Sequence, residues 1–287
     1  MSEPIDLSSR RNSLNPAVAG FDTAADVYEK VRPSYPAGAI RLLCDELGLG
    51  PGCRVLDLAA GTGKLTRLLT DSAADVVAVE PIEGMREVLA ATAEGIEVLD
   101  GTAEAIPLPD SSVDLVTVAQ AFHWFDGAAA LVEIDRVLRP GGGLALIWNV
   151  RDETVDWVSD FTELVVEVGG GRPYSAYNAR SAREAMEGPM RALPESGLFG
   201  PVELARFANP IDATVDTVVE RAASTSFIAA MPESDRTEGL SRVRALLDGH
   251  PSLAGRDQFP FPHHTDVFWC RSLDGPRPDT HRRLTST

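Results

Sequence analysis

A chain of 287 residues, 44% of them apolar, can build one α/β domain with a substantial insertion, and 26 Lys plus Arg against 43 Asp plus Glu leave a net charge of −17. That charge would repel a nucleic-acid backbone or an anionic membrane surface, so neither is expected as a partner. The three cysteines, Cys44, Cys53 and Cys270, show no CxxC spacing and no Cys/His cluster, which argues against a zinc site and a secreted disulfide scaffold; with no apolar run of membrane-spanning length, a cytoplasmic protein is expected.

Residues 1–20, rich in Ser, Asn and Arg without sustained periodicity, are expected to form a flexible leader. Ala24 to Val31 is predicted as a short helix stopped by Pro33, and Pro36 can open the next, which would carry Ile40, Leu42, Leu43 and Leu47 toward a sheet. Tyr28, Arg32 and Tyr35 cluster around the break between them. As residues alone they read equally well as two packing tyrosines and a solvated cation.

The stretch from Arg54 to Leu69, R-V-L-D-L-A-A-G-T-G-K-L-T-R-L-L, organises the rest. Val55, Leu56 and Leu58 predict a buried parallel strand, Ala59 to Gly63 a tight turn, and Leu65, Leu68 and Leu69 a helix. Gly61 and Gly63 let the backbone turn sharply and a ligand press against it, with the N–H groups of the helix start facing the same crevice. Asp57 decides which ligand. A carboxylate two residues before the turn would repel a pyrophosphate and suit an ammonium or sulfonium, and Thr66 stands where a dinucleotide fingerprint wants its third glycine. A second strand, Asp75 to Val79, delivers Glu80, whose carboxylate can take both hydroxyls of a ribose.

Asp57, Ala59, Gly61 and Gly63 resemble the D-x-G-x-G-x-G signature of class I S-adenosylmethionine-dependent methyltransferases, with alanine replacing one glycine. The resemblance implies a Rossmann-like α/β fold with a seven-stranded, mostly parallel sheet, S-adenosylmethionine as cofactor, and Glu80 with Pro81 and Met85 beside the adenosine; with no Cys/His cluster, no metal is expected. The Y-x-x-x-R-P-x-Y-P stretch is similar to that of the group containing the trans-aconitate and related small-molecule enzymes. It implies an N-terminal helix folded over the cofactor, Tyr28 and Arg32 on its methionine end and Tyr35 toward the acceptor.

Farther on, Ile82, Met85, Val88, Leu89 and Ala93 predict a helix and Ile96 to Leu99 a third strand. The following D-G-T-A-E-A-I-P falls where the family holds the adenine, which places Thr102, Ala103 and Glu104 there, with Thr102 in place of the usual acid. Val113 to Ala119 is a fourth strand running into Q-A-F-H-W-F-D before a helix capped by Asp126. In an open α/β sheet ligands bind beyond the carboxyl ends of the strands, so Gln120 is assigned to the cofactor and Phe122 and Trp124 to the acceptor. His123 is the candidate general base, because its ordinary pKa lies near neutral.

Arg139 to Gly143 should break the helix, and Leu144 to Val150 form the fifth strand, carrying Trp148 as an acceptor contact. Arg151 just beyond could clamp a substrate carboxylate; the plainer reading is a surface Arg–Asp pair with Asp152. Helices are expected at 154–168 and 181–193 around a glycine-rich hinge at 169–171, with Tyr174 facing the acceptor. Val202 to Phe207 and Thr265 to Ser272 should be the last two strands, antiparallel at one edge, with a helical cap over about 209–262 inserted between them. Residues 273–287 should trail away.

The methyltransferase domain is thus expected over 21–272, transferring a methyl group to a small-molecule acceptor, on a carboxylate oxygen or, alternatively, on oxygen or carbon of an aromatic or prenyl-like compound. The rival classes are a dinucleotide-dependent oxidoreductase, disfavoured by Asp57 and Thr66, and a non-catalytic cofactor-binding protein.

Overall fold

The computed structural model describes residues 33–171 and 190–273. The expected leader, the helix over 24–31 with Tyr28 and Arg32, the loop carrying Tyr174, most of the helix at 181–193, and the tail beyond Leu273 lie outside the described residues.

Alternating aliphatic runs build a sheet that is covered on both faces. Strands β1 (Arg54–Leu58), β2 (Asp75–Val79), β3 (Glu97–Leu99), β4 (Val113–Ala119), β5 (Leu138–Arg151), β6 (Glu203–Ala208) and β9 (His263–Arg271) lie in the order β3-β2-β1-β4-β5-β9-β6. β9 alone runs antiparallel to its neighbours. Successive side chains of a strand point to opposite faces. Val55 therefore packs with Leu43 of α1 (Ala37–Leu47) and with Leu65 and Leu69 of α2 (Lys64–Thr70), while Leu56 and Leu58 join Leu131 and Ile134 of α4 (Gly127–Val137) on the other side. Helix α3 (Glu83–Thr92) closes the β2–β3 end through Leu89, packed against Ala78. Strand order reverses between β1 and β4, and the crevice at their carboxyl ends is the binding position of such sheets.

Two expectations change in detail. The R-P-G-G-G tract does end α4 at Val137, yet β5 already begins at Leu138, which pairs with Val113 across a register shift before Leu115. The missing side chains permit this: a Cβ on Gly143 would stand 2.9 Å from Leu47, so the strand lies directly under α1. The glycines at 169–171 also do more than a hinge requires. They follow α5 (Asp156–Val168), and a Cβ on Gly169 would stand 2.3 Å from the ring of Phe227, so this glycine is a packing site.

The segment between β6 and β9 holds helices α7 (Val215–Ala223), α8 (Ser226–Ala229) and α9 (Glu233–Gly249), together with a ribbon of β7 (Ile211–Ala213) and β8 (Phe259–Phe261) that local periodicity did not announce. Thr214 opens α7 with a reciprocal capping box to Thr217. These elements share one apolar core with α5, built from Trp157, Phe161, Val165, Val218, Val243, Leu247, Phe259 and Phe261. A short helix α6 (Ala192–Ser196) packs beside α4. Gly239 of α9 also lies close against Val168 of α5, where a Cβ would stand 2.4 Å from a valine methyl. Valine is stiff at χ1 and cannot swing away, so Gly239→Val is expected to cost about 1–3 kcal/mol by overpacking, read as a lower urea midpoint. An unchanged midpoint would mean that the two helices part freely.

Candidate functional site

The turn after β1 shows why glycine and alanine alternate there. Ala59, Gly61 and Gly63 have φ of 55, 58 and 84°, all in the left-handed region. Alanine at 59 thus holds the conformation that the resembling motif assigns to glycine, at a cost on the order of 1 kcal/mol. Gly63 is the N-cap of α2, and a Cβ there would stand 3.0 Å from Leu89, so the turn is held tightly against α3.

Both acids lie at this turn, in different roles. Glu80, at the end of β2, is buried and accepts from the Gly61 amide at 2.8 Å through Oε2 and from the Ile82 amide at 2.9 Å through Oε1. A carboxylate offers about four acceptor sites, so two remain for a ribose. Burial pushes its pKa up, and the two amides and Arg86 act against that shift. Asp57 is 1% exposed and lies beneath the turn, accepting from the Thr66 hydroxyl at 2.6 Å and the Thr117 hydroxyl at 3.1 Å. Burial raises its pKa to about 6 despite both bonds. Asp57 therefore anchors the turn and lends its charge from below, rather than presenting oxygens to a ligand.

Around this pair, Met85 is buried with its sulfur 3.8 Å from the Cβ position of Gly61, and Pro81 is half-buried. Thr102 is bridged to Ala105, Ala103 is buried, and Glu104 accepts from the Asp126 amide at 2.9 Å. Glu104 thus fastens the loop after β3 to the loop after β4. Gln120 takes a left-handed φ of 58° at the end of β4, and its amide donates to the Asn149 carbonyl at 3.2 Å.

The acceptor side departs most from expectation. Phe122 is buried in the sheet–helix core and edge-on to Phe125 at 5.8 Å, and Trp148 is buried edge-on to Phe268 at 6.0 Å, so both pack the core instead of facing an acceptor. Tyr35 is half-buried against the α1 side of the sheet. Trp124 is 41% exposed, with its ring 4.8 Å from that of His123. Burial pushes the His123 pKa down to about 4, and Nδ1 is buried with no hydrogen-bond partner among the described residues. It is neutral at working pH and a weak base, contrary to the near-neutral value expected of it. Arg151 is 4% exposed, neither on the surface nor paired with Asp152: its guanidinium lies 4.4 Å over the Phe161 ring and donates to Thr162 at 3.3 Å. Asp152 instead caps its own turn at Thr154.

Several residues of the site were not singled out from the sequence. Thr117 supports Asp57, and Arg86 donates to the Glu80 carbonyl at 2.9 Å and pairs with Asp100 at 3.2 Å. Asn149 and Asn209 donate to the carbonyls of Pro33 and Ser34, and Thr265 donates to the Asn149 side chain at 2.5 Å. None of these carried a signal in the sequence; Thr66, noted there as the non-glycine in the third fingerprint position, is the other support of Asp57.

A left-handed glycine turn, a free pair of acceptor sites on Glu80 and a buried negative charge below fit an adenosyl group with a cationic tail. Residues 56–146 match the family model described as a methyltransferase domain. The chain is 42% identical over 245 residues to an uncharacterized methyltransferase of Mycobacterium tuberculosis, covering 85% of this chain and 92% of that protein. It is 35% identical over 186 residues to a malonyl-[acyl-carrier protein] O-methyltransferase of Methylococcus capsulatus, covering 63% of each. The crystal structure of YcgJ from Bacillus subtilis shares the fold, with a TM-score of 0.55 at 20% identity over 84% of this chain and all of that one.

The chain belongs to the methyltransferase family, and its fold is that of the class I enzymes. It is an S-adenosylmethionine-dependent methyltransferase. Among the described residues no helix is long and apolar enough to cross a membrane.

Proposed function

We propose that the enzyme methylates a small organic acid on a carboxylate oxygen, acting in the cytoplasm on a free metabolite. When bound, S-adenosylmethionine would supply an electrophilic methyl group to the acceptor oxygen, its sulfur leaving as a neutral thioether. The chain's task is to hold the cofactor and present the acceptor in line. Gly61 and Gly63 give the backbone approach, Glu80 takes the ribose, Gln120 borders the reacting end, and Asp57 supplies charge from beneath. Positioning of this kind can contribute about 7–11 kcal/mol to lowering a barrier.

The weak basicity of His123 carries the choice of acceptor. With a pKa of about 4 it holds no useful affinity for an acceptor's proton at neutral pH, and a carboxylate, already ionised there, needs no base. The name of the Methylococcus relative agrees with an oxygen acceptor. A second reading, oxygen or carbon methylation of an aromatic or prenyl-like compound, draws on the exposed Trp124 face beside His123.

Screening metabolite pools by mass spectrometry for a gain of one CH2 unit would find the acceptor. On it, His123→Ala is expected to keep kcat within about threefold, since removal of a working general base costs about 10²–10⁴-fold. A hundredfold fall would favour the second reading.

A further inference from the structure

The apolar face of the sheet beneath α1 ends in a row of polar side chains at its carboxyl edge. Asn149 lies two residues past Ile147 on β5 and Thr265 two residues before Val267 on β9, so both side chains fall on the α1 face. Thr265 is paired with Asn149 across the two strands and is fully buried. Asn209 stands just past β6, its backbone N–H donating to the His263 carbonyl at 2.8 Å.

The three side chains bond one another. Asn149 Oδ1 accepts from the Thr265 hydroxyl at 2.5 Å and from Asn209 Nδ2 at 3.1 Å, and Asn209 Nδ2 also lies 3.2 Å from the Thr265 hydroxyl oxygen. Their other bonds go to the chain that enters α1. Asn149 Nδ2 donates to the Pro33 and Ser34 carbonyls at 3.3 and 3.2 Å, and Asn209 Nδ2 to the Ser34 carbonyl at 2.9 Å. None of these bonds caps the helix, whose N-cap, Pro36, has no side-chain capping bond. What the row fixes is the path of residues 33–34 across the end of the sheet, through a network whose members hold one another in place.

Gln120 leans on the same strand end. Its left-handed φ of 58° is costly for a residue with a side chain, and two bonds to β5 keep it there. Its backbone N–H donates to the Ile147 carbonyl at 2.9 Å, and its side-chain Nε2 to the Asn149 carbonyl at 3.2 Å. A carbonyl can only accept, so the NH2 end of the amide faces β5 and Oε1 is left to accept from a ligand. Asn149 is therefore shared: its backbone holds Gln120, and its side chain holds Thr265, Asn209 and residues 33–34.

We infer that Asn149, Asn209 and Thr265 are positioning residues for cofactor binding, which fix the end of β5 so that its carbonyl sets the Gln120 amide. The inference rests on the reading that Gln120 borders the reacting end of the cofactor, and it adds three residues that act through Gln120.

The test is a double-mutant cycle on the full chain, with S-adenosylhomocysteine titrated calorimetrically. Gln120→Ala is expected to weaken binding about tenfold and Asn149→Ala about fivefold. In the Gln120→Ala background, Asn149→Ala should weaken binding by less than about twofold, because the side chain it positions is gone. A residue that only supports the fold would lower affinity equally in both backgrounds. If Asn149→Ala does not fold, Asn209→Ala, which leaves β5 untouched, should show the same dependence on Gln120.

Equal loss in both backgrounds overturns the inference, as does parental affinity in Asn149→Ala; in either case Gln120→Ala still weakens binding and the reading of Gln120 stands. An unchanged affinity in Gln120→Ala removes that residue from the cofactor and overturns both.

Discussion

Glu80→Ala is expected to weaken S-adenosylmethionine binding by about 1.5–3 kcal/mol, roughly ten- to 150-fold in Kd, with calorimetry as the measurement. Two losses combine in that figure. The carboxylate is the group proposed to take the ribose, and it also holds the Gly61 and Ile82 amides, so its removal frees the turn against which the adenosine would lie. Glu80→Gln should be nearly as costly. One of its two terminal atoms becomes an NH2 donor facing an amide that also donates, and the turn loses one of its two ties. An unchanged Kd in both variants would remove Glu80 from the site.

Asp57→Asn is expected to move stability and binding in opposite directions. The folded chain holds the Asp57 proton more tightly than the unfolded chain does, with a pKa of about 6 against 3.8. Its contribution to folding is therefore fully present below about pH 4 and is lost as pH rises through 6. At pH 7–8 the ionised, buried carboxylate costs on the order of 3 kcal/mol relative to that acid limit. Asparagine can still bond to the Thr66 and Thr117 hydroxyls, since each can accept as well as donate. The variant should melt higher than the parent at pH 8 and should lose the decline of stability between pH 4 and 6. Cofactor affinity should fall by about 1–2 kcal/mol with loss of the charge below a cationic ligand. In the parent, cofactor binding should weaken as pH drops below 6. If stability and affinity fall together in Asp57→Asn, the carboxylate is a structural anchor alone.

Much of the cofactor half was legible because it is local. Val55 to Leu58 is a strand by its aliphatic run, the Gly61–Gly63 pair is a turn by its φ freedom, and Glu80 stands at a strand end that needs no distant residue to be recognised. The Asp126 cap of α4 was equally plain, since its side chain bonds three residues ahead, to Ala129. The acceptor half was not legible in this way. Phe122 and Trp124 are two residues apart in one 3-10 turn, yet one is buried and the other half open, and no periodicity separates them.

By itself, then, the sequence determined the strands and helices of the central sheet, the glycine turn and the two acids flanking it, because each of those is set by residues within a few positions of one another. The tertiary structure alone decided what the polar groups are. Asp57 became an anchor through Thr117, sixty positions away, while burial raised its pKa, and His123 lost its basicity to burial. Arg151 moved from a presumed edge to a site among Phe161, Phe261, Arg221 and His263, drawn from α5, β8, α7 and β9. The reason is physical: burial, dielectric environment and charge partnership depend on groups that meet in space, and their neighbours in the chain carry no record of them.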